Sequence, residues 1–295
     1  MAVDGQMHTL RLHGDNLHYL DEGAGPAVVL IHGLLGSHHN WAPQVESLSK
    51  QYRVIVPDLF GHGDSDKPAG DYSLSAHAAT VRDLLKALDI DSATMVGHSL
   101  GGGVAMQTMY LFPDRVERLV LVASGGLGPE VSPLLRAATL PGSEFVLPVV
   151  ASQAVRDGVD LAIDGLRRIG LNPMSASSTE AWRAFASVQD SRTRRAFLAT
   201  ARSVISFRGQ TVSATPHFAA YQDIQAMLIW GERDTIIPNS HTENARAELP
   251  HGRVEIFPRA GHFPHLDLPD RFDRVFNEFM TDCGAAPKKR VASAI

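Results

Sequence analysis

A serine between two glycines is the feature of this sequence with the clearest chemical content. The run Gly97-His98-Ser99-Leu100-Gly101 follows an apolar stretch at 92–96 and precedes a helix-like stretch that stops at Pro113. A sharp turn from strand to helix strains its central residue, and small neighbours are needed so that no Cβ atoms collide. Such a turn raises the serine oxygen beside the first helical N–H groups, which stabilise a developing negative charge. The pattern predicts that Ser99 is a nucleophile.

A serine hydroxyl is a poor nucleophile at neutral pH, so it needs a base, and the base needs an acid that orients it. The chain has 14 histidines, so position must discriminate among them. His262 lies in a loop after the last predicted strand, and Asp234 follows the predicted strand at 226–231. Loops at the carboxyl ends of parallel strands assemble the sites of α/β sheets. His262 and Asp234 are therefore the predicted partners of Ser99, with Glu232 as a rival acid.

The elements that must position these residues alternate along the chain. A hairpin is predicted from residues 7–13 and 16–21, and a closing amphipathic helix from residues 269–281. Buried strands are predicted at 26–32, 52–57, 92–96, 118–123, 226–231 and 253–257. Strands that alternate with helical stretches predict an α/β fold with a mostly parallel sheet and helices on both faces.

One long segment interrupts this alternation. Residues 128–216 contain helix-like stretches rich in Ala, Arg and Ser and no convincing strand. We interpret this segment as a helical cap inserted into a core of residues 1–127 and 217–283, the alternative being helices that simply cover the sheet. Residues 284–295, which carry a few basic side chains among small ones, are predicted to be a disordered tail.

Composition narrows the class of protein. The chain has 295 residues, is 44% hydrophobic and carries a formal net charge of −5, which gives no reason to expect nucleic acid as a partner. The lone Cys283 excludes an intrachain disulfide, and no apolar stretch is long enough for a signal peptide or a membrane span. A cytoplasmic protein without membrane insertion, acting as a monomer or homodimer, is expected. Its triple glycine, 101–103, lacks the Lys-Ser/Thr of a phosphate-binding loop.

With its motifs in this order, the chain resembles the α/β-hydrolase family. The resemblance rests on the His32-Gly33 turn, the polar loop at 58–65, the Ser99 turn, the Trp230-Gly231 to Asp234 run and Gly261-His262. It implies the α/β-hydrolase fold and the triad order serine, acid, histidine, so that Ser99 is the nucleophile, His262 the base and Asp234 the acid. Within the family the chain is similar to capped esterases, epoxide hydrolases, dehalogenases and carbon–carbon bond hydrolases.

The resemblance also assigns roles to residues around the triad. It implies an oxyanion hole made by the backbone N–H groups of Leu34 and Leu100, and it makes Trp41 and Phe263 candidates for an apolar pocket. His265 is expected at the rim of the site. Two further features are expected to be structural, namely His98 and the loop that carries Asp58, His62 and Asp64.

Hydrolysis of a small, largely apolar ester through an acyl-enzyme is the predicted reaction, with no metal or organic cofactor. A serine at the turn argues against epoxide hydrolases and haloalkane dehalogenases, which need a carboxylate there. The alternatives are carbon–carbon hydrolysis of ring-cleavage dienoates, cofactor-free haloperoxidase or acyltransferase activity, and a non-catalytic ligand receptor. An arginine in the pocket favours a dienoate, whereas an apolar lining favours simple esters.

Overall fold

An eight-stranded sheet forms the centre of the protein. The computed structural model describes residues 6–169, 174–221, 223–249 and 251–284. The ten strands in this part of the chain are β1 (Met7–Leu12), β2 (Asp15–Glu22), β3 (Ala27–Ile31), β4 (Arg53–Pro57), β5 (Ala93–His98), β6 (Val116–Val122), β7 (Ile205–Ser206), β8 (Gly209–Gln210), β9 (Gln225–Gly231) and β10 (Arg253–Phe257).

The order of strands in the sheet is β1-β2-β4-β3-β5-β6-β9-β10. The pairs β1–β2 and β2–β4 are antiparallel, and all other neighbours are parallel. The mostly parallel sheet predicted from the sequence is therefore confirmed. Because β3, β5, β6 and β9 run in the same direction, the loops that follow them meet at one edge of the sheet.

Helices cover both faces of this sheet. The α-helices are α1 (Ala42–Leu48), α2 (Leu74–Ala87), α3 (Leu100–Leu111), α4 (Pro133–Ala138), α5 (Ser143–Val150), α6 (Gln153–Arg168), α7 (Ala176–Ser187), α8 (Ser191–Val204), α9 (His241–Glu248), α10 (Pro264–Asp267) and α11 (Pro269–Asp282). Short 3₁₀ helices lie at His38–Trp41, Pro113–Arg115 and Thr215–Tyr221.

The core consists of two apolar layers, because successive side chains of a strand point to opposite faces. Val29 of β3 belongs to the layer that packs against α2 and α3. Its neighbour Val28 belongs to the layer that packs against α1 and α11. Both valines are fully buried. A strand buried on both faces has a continuous apolar sequence, which is the pattern seen in β3, in residues 54–57 of β4 and in residues 119–122 of β6.

Between β6 and β9 the chain forms α4 to α8, which we call the inserted helices. No strand is predicted from the sequence for this segment, but the structure contains the short hairpin of β7 and β8 there. Strands of two residues are too short to show an alternating pattern, and the turn depends on Gly209, whose φ of +131° favours glycine. The division into core and cap stays a prediction, and the predicted tail, from residue 285 onward, lies outside the described residues.

Candidate active site

The turn at Ser99 is as sharp as its glycines suggest. Ser99 has φ +52° and ψ −114°, directly between the end of β5 and the start of α3. A Cβ atom on Gly97 would lie 2.2 Å from the carbonyl oxygen of Gly101, and one on Gly101 would lie 2.2 Å from that of Ile31. The Ser99 N–H donates to Val122 O at 3.0 Å, and the Gly125 N–H donates to Ser99 O at 3.0 Å. The strained conformation is thus fixed from both sides.

His262 and Asp234 form a hydrogen-bonded pair at the same edge of the sheet. His262 Nδ1 lies 2.8 Å from Asp234 Oδ2, and the Asp234 side chain is fully buried. The other carboxylate oxygen, Oδ1, accepts the N–H groups of Ile236 at 2.8 Å and Ile237 at 3.0 Å. An ionised carboxylate only accepts hydrogen bonds, so it holds the imidazole proton on Nδ1 and leaves Nε2 as the acceptor. The rival Glu232 is exposed and accepts the Arg259 N–H instead.

His98 links the Ser99 turn to the segment that carries His262. Its Nε2–H donates to the carbonyl oxygen of His262 at 2.8 Å, and the two rings lie 4.8 Å apart. Burial, together with the neighbouring histidines His262 and His265, lowers the pKa of His98 well below its usual value. A neutral imidazole suits this position, because a positive charge on His98 would oppose the protonation that the predicted base, His262, must undergo.

Asp267 and Ser177 also hold the His262 segment in place, through contacts that the sequence did not predict. Asp267 Oδ2 accepts the Gly261 N–H at 2.8 Å and also the hydroxyl of Ser177 in α7. Asp267 Oδ1 accepts the Ser177 N–H at 3.0 Å, and Ser177 Oγ accepts the Phe263 N–H at 3.1 Å. Both residues that flank His262 are therefore tied to an inserted helix. Nothing in the local sequence connects positions 177 and 267, which are 90 residues apart.

A narrow pocket of about 50 Å³ lies at Ser99. Its walls include Leu34 and Leu100, the two predicted oxyanion donors, and a Cβ atom on the adjacent Gly33 would lie 3.1 Å from that of Ser99. The inserted helices contribute to it through Leu135 of α4 and Val204 of α8. No charged side chain lines the pocket among the residues that the structure describes, and its walls are mostly apolar.

The prediction that Trp41 lines the pocket is wrong. Trp41 is fully buried in the core layer beside α11, where it stacks on His265 with ring centroids 4.3 Å apart. His265 is therefore not at the rim either, and burial lowers its pKa to about 3. Phe263 is partly exposed beside His98, 4.6 Å between centroids, and is not among the residues that line the Ser99 pocket. A large aromatic ring buries more apolar area in the core than at a pocket wall.

The polar loop after β4 is a tightly bonded turn. The fully buried Asp58 accepts the backbone N–H groups of His38 at 2.6 Å and Asp64 at 2.8 Å, and its Oδ2 lies 3.0 Å from His38 Nδ1. Burial opposes ionisation of Asp58, but the hydrogen bond and charge of His38, the nearby His32 and the Asp64 N–H together outweigh it, so the pKa of Asp58 is lowered overall. Within the described ranges, His38, Asp58 and Asp64 form the one group spaced closely enough for a metal ion. The Asp58 oxygens, however, are already engaged by N–H donors.

The described part of the chain contains no helix long and apolar enough to cross a bilayer.

Comparison with known proteins agrees with this fold. A model of the alpha/beta hydrolase fold matches residues 26–146 and 166–269. An uncharacterized protein of Mycobacterium tuberculosis is 38% identical over 271 residues, which cover 91% of this chain and 79% of that protein. The cis-3-alkyl-4-alkyloxetan-2-one decarboxylase of Shewanella oneidensis is 30% identical over 298 residues, which cover 93% of this chain and 88% of that enzyme.

Among solved structures, a thermophilic esterase from Thermogutta terrifontis superposes with a TM-score of 0.71 at 22% identity, covering 95% of this chain and all of that one. At this identity the likeness concerns the fold alone. The match of the family model over most of the chain is what assigns the family. The chain belongs to the α/β-hydrolase fold family.

Proposed function

We propose that this hydrolase cleaves carboxylic esters with apolar acyl groups through a serine acyl-enzyme. The observation that carries the proposal is the 2.8 Å contact between His262 Nδ1 and the buried Asp234, at the edge of the sheet where Ser99 stands on its strained turn. With the proton fixed on Nδ1, Nε2 of His262 is the base that takes the proton of the Ser99 hydroxyl.

The reaction then has two halves. Ser99 Oγ attacks the ester carbonyl while His262 takes its proton, and the N–H groups of Leu34 and Leu100 stabilise the tetrahedral oxyanion. The carbon–oxygen bond to the alcohol breaks, and the alcohol leaves with the proton from His262. Water, deprotonated by His262, attacks the acyl-enzyme in the same way and releases the carboxylic acid. In this scheme the inserted helices act as a cap, because α4 and α8 help to enclose the pocket.

The lining of the pocket supports an ester over a ring-cleavage dienoate. A dienoate carries a carboxylate, whose removal from water must be offset by a cationic partner. The lining of the Ser99 pocket within the described chain includes no arginine, lysine or histidine. The Shewanella oneidensis relative is named for an alkyl-substituted oxetan-2-one, which is likewise an uncharged apolar compound.

Covalent labelling with a fluorophosphonate tests the proposed nucleophile. We expect the wild-type protein to be labelled and Ser99→Ala to be unlabelled. Ser47→Ala is the matched control, since Ser47 lies on α1, outside the pocket, and should keep full labelling. An unlabelled wild-type protein that binds apolar ligands would contradict the proposal and favour a non-catalytic receptor.

The choice between ester and carbon–carbon cleavage needs a rate comparison. We expect p-nitrophenyl butyrate to be hydrolysed with a higher kcat/KM than a ring-cleavage dienoate, and both rates to vanish in Ser99→Ala. Fast turnover of the dienoate with negligible ester hydrolysis would instead show that the same triad serves carbon–carbon bond cleavage.

A further inference from the structure

A second, much larger cavity lies among α4, α5, α6 and α7. Its volume is about 830 Å³, and it is distinct from the pocket at Ser99. Its walls include Leu134, Val146, Ile163 and Phe185, and no charged side chain lines it within the described residues. Pockets that bind whole organic ligands are of order 300–1,000 Å³, so this cavity has the size of a ligand site. Open apolar surface of this extent is unusual in a protein without an occupant for it.

The few polar groups in its walls already have partners inside the protein. Ser143 Oγ lies 3.2 Å from the guanidinium of Arg202, Ser178 Oγ donates to the carbonyl oxygen of Ser175 at 3.1 Å, and Trp182 Nε1 donates to Asp160 at 3.1 Å. The cavity therefore favours a ligand that makes no hydrogen bonds of its own. That description fits a hydrocarbon chain.

Helix α4 is a common wall between this cavity and the Ser99 pocket. Leu134 lines the cavity and Leu135 lines the pocket, because consecutive helical residues point about 100° apart. A small apolar cluster, which includes Phe197, is in contact with residues of both spaces. Leu34 of the pocket packs against this cluster, and so does Leu147 of the cavity wall.

Size separates the roles of the two spaces. The pocket at Ser99, at about 50 Å³, holds little more than the reacting carbonyl group and its nearest atoms. The bulk of a longer substrate must lie outside it. A space of about 300 Å³ that shares Leu74 and Val204 with the pocket has several polar groups in its walls, among them Gln107 and His217, whereas the walls of the large cavity are almost entirely apolar. Four wall residues, Leu147, Val150, Val159 and Ile163, lie within residues 147–165, which fall between the two stretches matched by the family model.

We propose that the cavity holds the alkyl chain of a long-chain acyl ester while its carbonyl group lies at Ser99. This inference rests on the proposed ester hydrolysis and adds a substrate class to it. It also extends the sequence-based expectation of a small ester. Each methylene moved from water into the cavity should raise kcat/KM by up to about fourfold, until the cavity is full.

The test measures kcat/KM for p-nitrophenyl acetate, butyrate, octanoate and dodecanoate. In the wild-type protein we expect the value to rise from acetate to octanoate by at least about 100-fold. Ala181→Trp places a large ring in the cavity, because Ala181 lines it and is exposed enough to accept the change. Ala162→Trp is the matched control, since Ala162 is an exposed residue of α6 that does not line the cavity. Only Ala181→Trp should reduce the octanoate-to-acetate ratio, by at least about tenfold.

The outcomes separate this inference from the proposed function. Acetate turnover that depends on Ser99, with no rise toward longer chains or with equal losses in the two tryptophan variants, overturns the inference and leaves ester hydrolysis standing. Absence of Ser99-dependent turnover of any ester overturns the proposed function itself. A flat chain-length profile combined with a dimer that Ala181→Trp abolishes would assign the cavity to a second copy of the chain. A flat profile combined with binding to phosphatidylglycerol vesicles that Ala181→Trp abolishes would assign it to a membrane surface. Either result would refute the inference.

Discussion

The contact between Asp267 and Ser177 yields the sharpest prediction for this structure. Asp267→Asn keeps the shape of the side chain and replaces one carboxylate oxygen by an NH₂ group. The two oxygens of Asp267 accept from Ser177 N–H, Ser177 Oγ–H and Gly261 N–H. An amide has one acceptor oxygen, so whichever way it points, at least one backbone N–H faces another donor.

The magnitude follows from these bonds. A hydrogen bond to a charged acceptor contributes about 1.5–3 kcal/mol, and an unpaired N–H costs about 1–3 kcal/mol. We expect Asp267→Asn to lower the free energy of unfolding by roughly 2 kcal/mol. Because the bonds hold Gly261 and Phe263 on either side of His262, we also expect the imidazole to shift. A displacement approaching 1 Å costs up to about 100-fold in rate, so kcat should fall about 10- to 100-fold with little change in KM.

The assay is p-nitrophenyl acetate hydrolysis with kcat and KM determined separately, alongside chemical denaturation. Asp270→Asn is the control, because Asp270 is exposed, lies three residues away and removes the same charge. Ser177→Ala should give an intermediate loss of kcat, since it keeps the bond from the Ser177 N–H to Asp267. A variant Asp267→Asn that is destabilised but keeps kcat within twofold of wild type would show that the contact stabilises α7 without positioning His262.

Two further predictions concern stability. Burial lowers the pKa of His77 to about 4, so the folded state favours its neutral form, and stability should fall as the pH drops from 6.5 toward 4. Neither ring nitrogen of His77 has a hydrogen-bond partner among the described residues, so His77→Phe should fold at pH 7. Below pH 6.5, the free energy of unfolding of this variant should depend on pH less steeply than that of the wild type, by up to about 1.4 kcal/mol per pH unit. An unchanged slope in urea titrations would contradict the burial argument. Gly101→Ala should prevent folding or greatly lower the unfolding midpoint, because its Cβ would lie 2.2 Å from Ile31 O, whereas Gly103→Ala, with 3.3 Å to a Leu74 methyl group, should stay near wild type. Equal midpoints for the two alanine variants would refute the steric explanation.

Most of the sheet could be predicted because each strand can be recognised from its own few residues. β3, most of β4 and the second half of β6 are short, continuous apolar runs, and such a run is enough to recognise a strand that is buried on both faces. The bounds agree with the structure to within a residue or two. The β7–β8 hairpin was missed since four residues carry no periodicity. Trp41 and His265 were misplaced because an aromatic residue near a site has the same sequence signal whether it faces the pocket or the core.

By itself, the sequence determined the strand-to-helix turn at Ser99, the order of Ser99, Asp234 and His262 along the chain, and the mostly parallel sheet. Each of these follows from short-range sterics and from the rule that loops after parallel strands share one edge. Only the tertiary structure decided that Asp267 and Ser177 hold the His262 segment, that Trp41 is buried, and that a large apolar cavity lies beside a very small pocket. Those facts depend on which faces of distant helices pack together, and the packing minimises exposed apolar area over the whole molecule rather than within any one segment.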